Sequence, residues 1–299
     1  MSAFTKVAVV GASGNLGPLV VKALLDVGFE VTAVTREESK ATFPSEVVVK
    51  RVDLSSVESV ARAVTGQDAI VSTVAAEATA SQRVLIDAAI TAHVQRFIPS
   101  EFGINTREAR GTKFGRFVAP KIADVDYLIE LSEKHTWFSW TGISTGAFFD
   151  WGLRNGFFGF DLKKKTCQIF DSGNEPFSGT NLAFIGKCVA ASLEKAEETA
   201  NKFLTVASFT VTQNEVLKVL EEETGSKFAV TDIKTSDLQK ITDEKLARND
   251  PTAFVESLIQ YVFADGAKQA VEENAATAVL GLQEESLRAT IKAAITELS

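Results

Sequence analysis

The chain has 299 residues, 45% of them hydrophobic and 23% charged, and its 31 lysines and arginines against 39 aspartates and glutamates leave a net charge of −8. That length suits one large or two medium globular domains with a sizeable core. The acidic balance argues against a nucleic-acid surface, whose phosphate contacts need clustered lysine and arginine. No apolar run approaches the ~18 residues of a membrane span, and the N-terminus leads straight into a strand pattern without a signal peptide. Cys167, Cys188, His93 and His135 are the only soft metal ligands of their types, and none has a neighbour at ligand spacing, so no metal site is expected. Both cysteines read as reduced residues of a cytoplasmic protein.

The first element is the most informative. Lys6–Gly17 reads KVAVVGASGNLG: a short apolar strand, then Gly11, Gly14 and Gly17 at three-residue intervals, then Pro18 and an apolar stretch of helical length. Gly11 permits the tight turn, Gly14 lets a pyrophosphate approach the backbone, and Gly17 lets the helix pack close to the strand. The free N–H groups and positive dipole end of the helix then face the phosphates. Pro18 suits a first helical turn, where an N–H has no partner anyway. The spacing is GxxGxxG rather than GxGxxG, so a tight strand-to-helix turn without ligand is the competing reading; the strand before it and the helix after it favour a dinucleotide.

Further strands are expected at Glu30–Thr35, Glu46–Asp53, Asp68–Val74, Arg96–Pro99 and Thr136–Ile143. Helices are expected at Ser56–Thr65, with Ser55 or Ser56 as N-cap, at Ser81–His93 and at Pro120–Lys134. Strands separated by helices mean βαβ units and a doubly wound parallel α/β sheet of Rossmann type. Arg36 ends the second strand, nineteen positions after Gly17. An acidic residue there would select NAD through the ribose 2′-OH, whereas a guanidinium suits the 2′-phosphate of NADP, with Lys40 as a second cation. Glu37 and Glu38 make the local charge less favourable, and a solvated arginine is the alternative.

GASGNLG, the arginine after the second strand, RFIPSEFG at 96–103 and a lysine eighteen residues after Gly103 together resemble the NmrA-like branch of the atypical short-chain dehydrogenases. More narrowly they resemble the isoflavone reductase and phenylcoumaran benzylic ether reductase group. FSGTNLAFIGKCVA at 177–190 is similar to a strand-to-helix segment of the same family. The resemblance implies a pyrophosphate along Gly11, Ser13, Gly14, Asn15 and Leu16, a 2′-phosphate on Arg36, and adenine near Asp53 and Leu54. It further implies ribose contacts from Thr73, Val74 and Ala75, and a nicotinamide near Pro99, Ser100 and Phe102. Lys121 matches the family's active-site lysine, placed to orient the cofactor and, with a lowered pKa, to exchange a proton with substrate. Tyr-x-x-x-Lys is absent: Tyr127 is followed at that spacing by Leu131 and Tyr261 by Asp265.

Two features depart from the family pattern. The basic segment between Gly103 and Lys121 offers Lys113 as a rival lysine. GAFFDWGLRNGFFGF packs Phe148, Phe149, Trp151, Phe157, Phe158 and Phe160 into thirteen residues, either core between two lobes or a pocket for a flat, largely apolar substrate. Phe102, Gly146, Phe148 and Phe149 are the candidate substrate contacts.

The second half reads as a smaller mixed lobe. Strands are expected at Thr166–Phe170, Lys202–Ala207 and Phe228–Ile233, the second returning to the main sheet. Helices are expected at Leu182–Leu193, Val211–Gly225 (with a Thr212–Glu215 capping box), Ser236–Leu246, Pro251–Phe263 and Ser286–Leu298, with a loop or short turn at 274–284. The division is an NADP-binding domain at 1–150 and an interleaved substrate lobe at 151–299, with segments near 177–207 returning to the first. The function expected is an NADPH-dependent reductase of a small apolar or aromatic molecule. A regulatory NADP sensor without turnover and a redox-neutral isomerase or cyclase are the alternatives. Monomer and homodimer both remain open.

Overall fold

The computed structural model describes residues 4–75 and 80–298; residues 1–3 and 299, which the two-lobe division takes in, lie outside the described residues. The chain begins with β1 (Lys6–Val10), α1 (Gly17–Asp26), β2 (Glu30–Arg36), β3 (Val48–Val52), α2 (Val57–Val64), β4 (Ala69–Ser72), α3 (Ala80–Thr91) and β5 (Arg96–Ile98). A one-turn helix, α4 (Thr106–Ala109), and a 3-10 turn at Phe114–Val118 precede α5 (Ala119–Lys134) and β6 (Ser139–Ser144). There follow β7 (Ala147–Phe148), α6 (Phe149–Arg154), β8 (Phe160–Asp161), β9 (Thr166–Phe170), β10 (Phe177–Thr180), α7 (Leu182–Glu194), α8 (Ala196–Thr199) and β11 (Lys202–Thr205). The chain ends with β12 (Phe209–Val211), α9 (Gln213–Thr224), β13 (Ala229–Ile233), α10 (Thr235–Ala247), α11 (Ala253–Phe263), α12 (Ala275–Ala278) and α13 (Leu287–Leu298).

Seven strands form one parallel sheet in the order β11-β6-β5-β4-β1-β2-β3. Successive side chains point to opposite faces, so an apolar run is buried on both. Val7, Val9, Val31, Ala33 and Val71 pack one face against α1 and α7. Ala8, Val10, Val34, Ile70 and Phe97 pack the other against α2, α3 and α5. This layering requires that the central strands read as unbroken apolar segments, which is how β1 and β4 were legible. Strand order reverses between β1 and β4: β2 and β3 lie to one side, β5 and β6 to the other. Two helix starts carry the expected caps. Ser56 Oγ accepts from Ser59 N at 3.2 Å, and the Thr212–Glu215 capping box is formed.

The rest of the chain builds two small mixed sheets, β12-β10-β7 and β13-β9-β8. They share an aromatic-rich core of Phe149, Phe158, Phe160, Phe170, Phe177 and Phe209, closed by α9, α11 and α13. Of the 177–207 stretch, β11 pairs with β6 in the main sheet and α7 packs on it, whereas β10 pairs outside it with β12 and β7. No helix among the described residues is long and apolar enough to cross a membrane.

Candidate active site

An open parallel sheet leaves a crevice beyond the carboxyl ends of its strands where the order reverses. Here that point is the turn after β1, facing the end of β4. Gly11 takes φ +83°, and a Cβ on it would stand 2.7 Å from the Thr73 carbonyl oxygen. Thr73 in turn donates its N–H and hydroxyl to the Val10 carbonyl at 2.8 and 3.0 Å, pinning the two strand ends together. The turn closes with Gly14 N–H on Gly11 O at 3.0 Å. A Cβ on Gly17 would lie 2.3 Å from that same carbonyl, so only glycine lets α1 start this close to the strand. α1 begins without a side-chain cap and with Pro18 in its first turn. Pro18 has no N–H and Leu19 N–H donates to the Leu16 carbonyl at 3.1 Å, which leaves the Gly17 amide at the helix start as a donor for an anion.

A cavity of about 1230 Å³ opens from this turn. Pockets for one drug-sized ligand run to roughly 300–1,000 Å³, so there is room for a dinucleotide and a second molecule. Ser13, Gly14, Asn15, Leu16, Arg36, Ser39, Leu54, Thr73, Val74 and Ala75 line one end. Arg36 is exposed, with its Nε 3.3 Å from a carboxylate oxygen of Glu38.

Beyond β5 the chain turns through Ser100, Glu101, Phe102 and Gly103, all on the cavity wall. The turn is tied down on both sides. Ser100 donates its N–H to Gln82 at 2.7 Å and its hydroxyl to the Val74 carbonyl at 2.8 Å. The Gly103 carbonyl accepts from Ser144 Oγ, Thr145 N and Gly146 N at 2.8 to 3.0 Å. Gln82 passes on to Asp124 at 3.2 Å, which also holds Arg83 at 3.3 Å. Burial pushes the Asp124 carboxyl up, against the pull of its bonds from Gln82 and Arg83. One turn before it on α5, Lys121 lines the cavity, and burial pulls its ammonium below the ordinary lysine value while the Glu101 charge opposes that shift. Glu101 is fully buried, and burial raises its carboxyl despite Lys121 and the Thr106 hydroxyl.

The far wall is aromatic and aliphatic. Phe102, Phe148, Trp151, Phe157 and Phe158 meet Phe114 and Phe117 from the 3-10 turn and Phe254, Leu258 and Val262 from α11. Gly146 lies beside them, and the loop from Lys268 to Glu273 crosses the rim. The aromatic run of the sequence thus divides. Phe149 is wholly buried against Phe158, Phe177 and Phe209 and does not touch the cavity, which corrects its expected substrate role: its ring faces the core of the small sheets, one residue out of phase with Phe148.

Four other expected residues stay off the cavity wall. Gly17 packs against Gly11; Lys40 is exposed; Pro99 is buried behind the turn. Asp53 turns its carboxylate onto its own chain, accepting Ser55 Oγ at 2.6 Å and Ser55 N at 2.8 Å, and the Ser55 hydroxyl holds it below the usual carboxylate range. Lys113, the rival lysine, is exposed and does not line the cavity. Neither tyrosine lines it: Tyr127 donates to Asp87 at 2.8 Å under the Arg83 guanidinium, and Tyr261 stacks on Phe114. Glu101 and Thr106 were missed, although Glu101 sits inside the PSEFG motif; an acid close after an apolar strand and directly before Phe102 was the available signal. The α11 wall was missed too. Its i, i+4 spacing at Phe254, Leu258 and Val262 marks one helix face but not what that face covers.

The sequence matches the profile of the NmrA-like family over residues 4–298. The chain belongs to the NmrA-like family. Among curated relatives of this NmrA-like chain, the oxidoreductase aprR of Aspergillus flavus is 38% identical over 246 residues, spanning 81% of this chain and 82% of its own length. The oxidoreductase poxI of Penicillium oxalicum is 30% identical over 280 residues, 92% of this chain and 89% of its own. The NmrA-like fold here superposes on the leucoanthocyanidin reductase–NADPH complex of Vitis vinifera with a TM-score of 0.81 at 20% identity, covering 97% and 99% of the two chains. The complex of AtPrR2 with NADP+ and (+)-pinoresinol gives 0.79 at 21% identity, covering 98% and 99%. These two likenesses are of fold.

Proposed function

We propose that this protein is an NADPH-dependent reductase of a flat, largely apolar, aromatic molecule. The observation that carries the reading is that one cavity joins the glycine turn and Arg36 to the aromatic wall, with Lys121 on its lining. The donor set fits the cofactor. A narrow turn that a Cβ would fill and a helix start without a side-chain cap would hold the pyrophosphate at Ser13, Gly14, Asn15 and Leu16. Arg36 offers its guanidinium fork to the 2′-phosphate. Leu54 would lie toward the adenine, Thr73, Val74 and Ala75 toward the ribose, and Ser100 and Phe102 toward the nicotinamide.

NADPH supplies the hydride when bound; the chain's own groups do the rest. Phe148, Trp151, Phe157 and Phe254 present ring surface to an aromatic substrate and keep water away from the reacting carbon. Lys121, its ammonium pulled down by burial, delivers the proton that accompanies the hydride. The oxidoreductase names of the two fungal relatives support the same class of reaction.

Titration of the purified protein with NADPH, NADP+, NADH and NAD+ tests the cofactor part. The phosphorylated pair should bind more tightly. R36A should weaken that pair by about 10- to 100-fold, the worth of one hydrogen bond to a charged group at roughly 1.5–3 kcal/mol, and leave NADH unchanged. Equal binding of all four cofactors would refute the role of Arg36.

A further inference from the structure

Gln82 is a polar side chain in an apolar setting. It lies in the first turn of α3, wholly occluded from solvent, and the residues that follow it on the helix, Leu85, Ile86 and Ala89, are buried in the core. Leucine or methionine would fill such a position with no polar group to satisfy. A buried amide is costly unless it is hydrogen-bonded, and here both ends are. Oε1 accepts the Ser100 N–H at 2.7 Å, and Nε2 donates to an Asp124 carboxylate oxygen at 3.2 Å. The partners fix which end is which, since a backbone N–H donates and a carboxylate oxygen accepts. They also belong to different elements, Ser100 to the turn after β5 and Asp124 to α5. Ser100 lines the cavity, whereas Gln82 stands behind its wall. Asp124 is buried and lies three residues after Lys121 on α5, close to one helical turn, so the two side chains leave the same face. Arg83 grips the same helix, donating to Asp124 and to the Ala123 carbonyl at 3.3 Å each, and its guanidinium lies 3.9 Å from the Tyr127 ring centre. Gln82 reaches both the helix and the turn.

We propose that Gln82 is a positioning residue: its amide bridges the Ser100 turn and α5, and so sets where Lys121 stands relative to the turn that would face the nicotinamide. The inference rests on the reductase reading, which gives that spacing its purpose. A hydride donor at the turn and a proton donor on the helix must serve one substrate at the same moment, and a misplacement of about 1 Å can cost on the order of 100-fold in rate. Gln82 touches neither reactant; it acts through the two elements it joins. The turn has a second tie, because the Ser100 hydroxyl donates to the Val74 carbonyl at 2.8 Å. Loss of the amide therefore releases the turn from α5 without releasing it from the end of β4. An apolar side chain of similar size would keep the packing, leave the Ser100 N–H and the Asp124 oxygen unbonded, and let the start of α5 shift against the turn.

The first readout needs neither substrate nor cofactor. Trace acetylation of the full-length protein with acetic anhydride, quantified lysine by lysine by mass spectrometry, reports how Lys121 is presented. In Q82M its rate should rise several-fold, because a loosened α5 exposes an amine that is only part-exposed here. Lys195, also part-exposed and donating to the Val279 carbonyl at 2.8 Å, is the control and should react as in the wild type. Q82E sets two carboxylates face to face and should act like Q82M. Q82E/D124N is the rescue: the new carboxylate still accepts the Ser100 N–H, the new amide on α5 donates to it, and the bridge re-forms with its direction reversed. A Gln82 that merely filled the core would lower the melting temperature in Q82E and leave the Lys121 rate in place. An unmoved Lys121 rate in folded Q82M, or a rise that Lys195 shares, overturns the proposal. Should Q82M not fold, Q82E against Q82E/D124N gives the same comparison, and no return toward the wild-type rate in the double variant overturns it. The second readout is deuterium transfer from C4-deuterated NADPH to aromatic ketones and enones at saturating cofactor. Q82M should lose on the order of 100-fold in rate with its NADPH Kd changed by no more than a few-fold, since the glycine turn and Arg36 lie outside the bridge; undiminished transfer overturns the proposal. If the wild type transfers no deuterium, the reductase reading fails, and the acetylation comparison still decides whether Gln82 sets Lys121.

Discussion

Arg36 does not wait unpaired for a phosphate. Glu38 holds its Nε at 3.3 Å, and both side chains are largely exposed. Exposed pairs are worth about 0–1 kcal/mol, so Glu38 is a weak competitor rather than a block. E38Q should therefore tighten NADPH binding by up to about 5-fold, measured by fluorescence titration, and leave NADH binding where it was. The glycine turn is less forgiving. G17A drives a methyl into the Gly11 carbonyl and the Ala12 backbone, neither of which is a flexible side chain end. It should cost roughly 1–3 kcal/mol in denaturant unfolding and displace the start of α1 enough to lose cofactor binding. Adjacent phenylalanines make the sharpest contrast. F149A empties a fully buried site among three rings and should cost roughly 3–5 kcal/mol. F148A opens the cavity wall, so it should raise KM for an aromatic substrate with a much smaller loss of stability.

At the scale of elements, the legible parts of the sequence are those whose signals are local. β1 and the glycine turn declare themselves because a strand buried on both faces needs an unbroken apolar run. α9 declares itself by its cap: Thr212 accepts from Glu215 N at 3.2 Å while Glu215 accepts from Thr212 N at 2.8 Å. T212A should cost about 1 kcal/mol in thermal or denaturant unfolding. The illegible parts depend on partners far along the chain. β7, β8, β10 and β12 have two to four residues each, too few for a periodic pattern, and β10 exists only through β12 and β7. α4, α6 and the 3-10 turn at Phe114–Val118 are likewise too short to show a helical stripe. The residues from Phe148 to Phe160 carried the ambiguity between core and pocket because they serve both: Phe149 and Phe160 face the small-sheet core, and Phe148, Trp151 and Phe157 face the cavity.

For the whole molecule, the cavity needs both halves of the chain. Its glycine-turn end comes from the first third, where motif spacing and strand ends were readable from the sequence. Its opposite wall comes from the 3-10 turn, α11 and the loop at 268–273, which only the folded chain brings together. That loop is anchored across the small sheets: Glu175 accepts the Gly266 and Lys268 N–H groups at 2.7 and 2.6 Å, Ser178 Oγ accepts Val271 N–H at 2.8 Å, and Thr205 donates to the Glu273 carbonyl at 3.0 Å. Lys121 and Glu101 sit on the wall between these two contributions to the lining, one on α5 and one in the turn after β5. On the proposed function, a hydride donor at the glycine turn and an aromatic molecule against α11 would share this one cavity.

The most direct test is isotope transfer from NADPH deuterated at the nicotinamide C4. A panel of aromatic ketones, enones and benzylic ethers would be incubated with the wild-type protein and with K121M, and the products analysed by mass spectrometry. Deuterium is expected at a substrate carbon with the wild type, and loss of that product is expected with K121M although that variant still binds NADPH. Conversion without deuterium in the product, or K121M turning over at the wild-type rate, would contradict the proposed function.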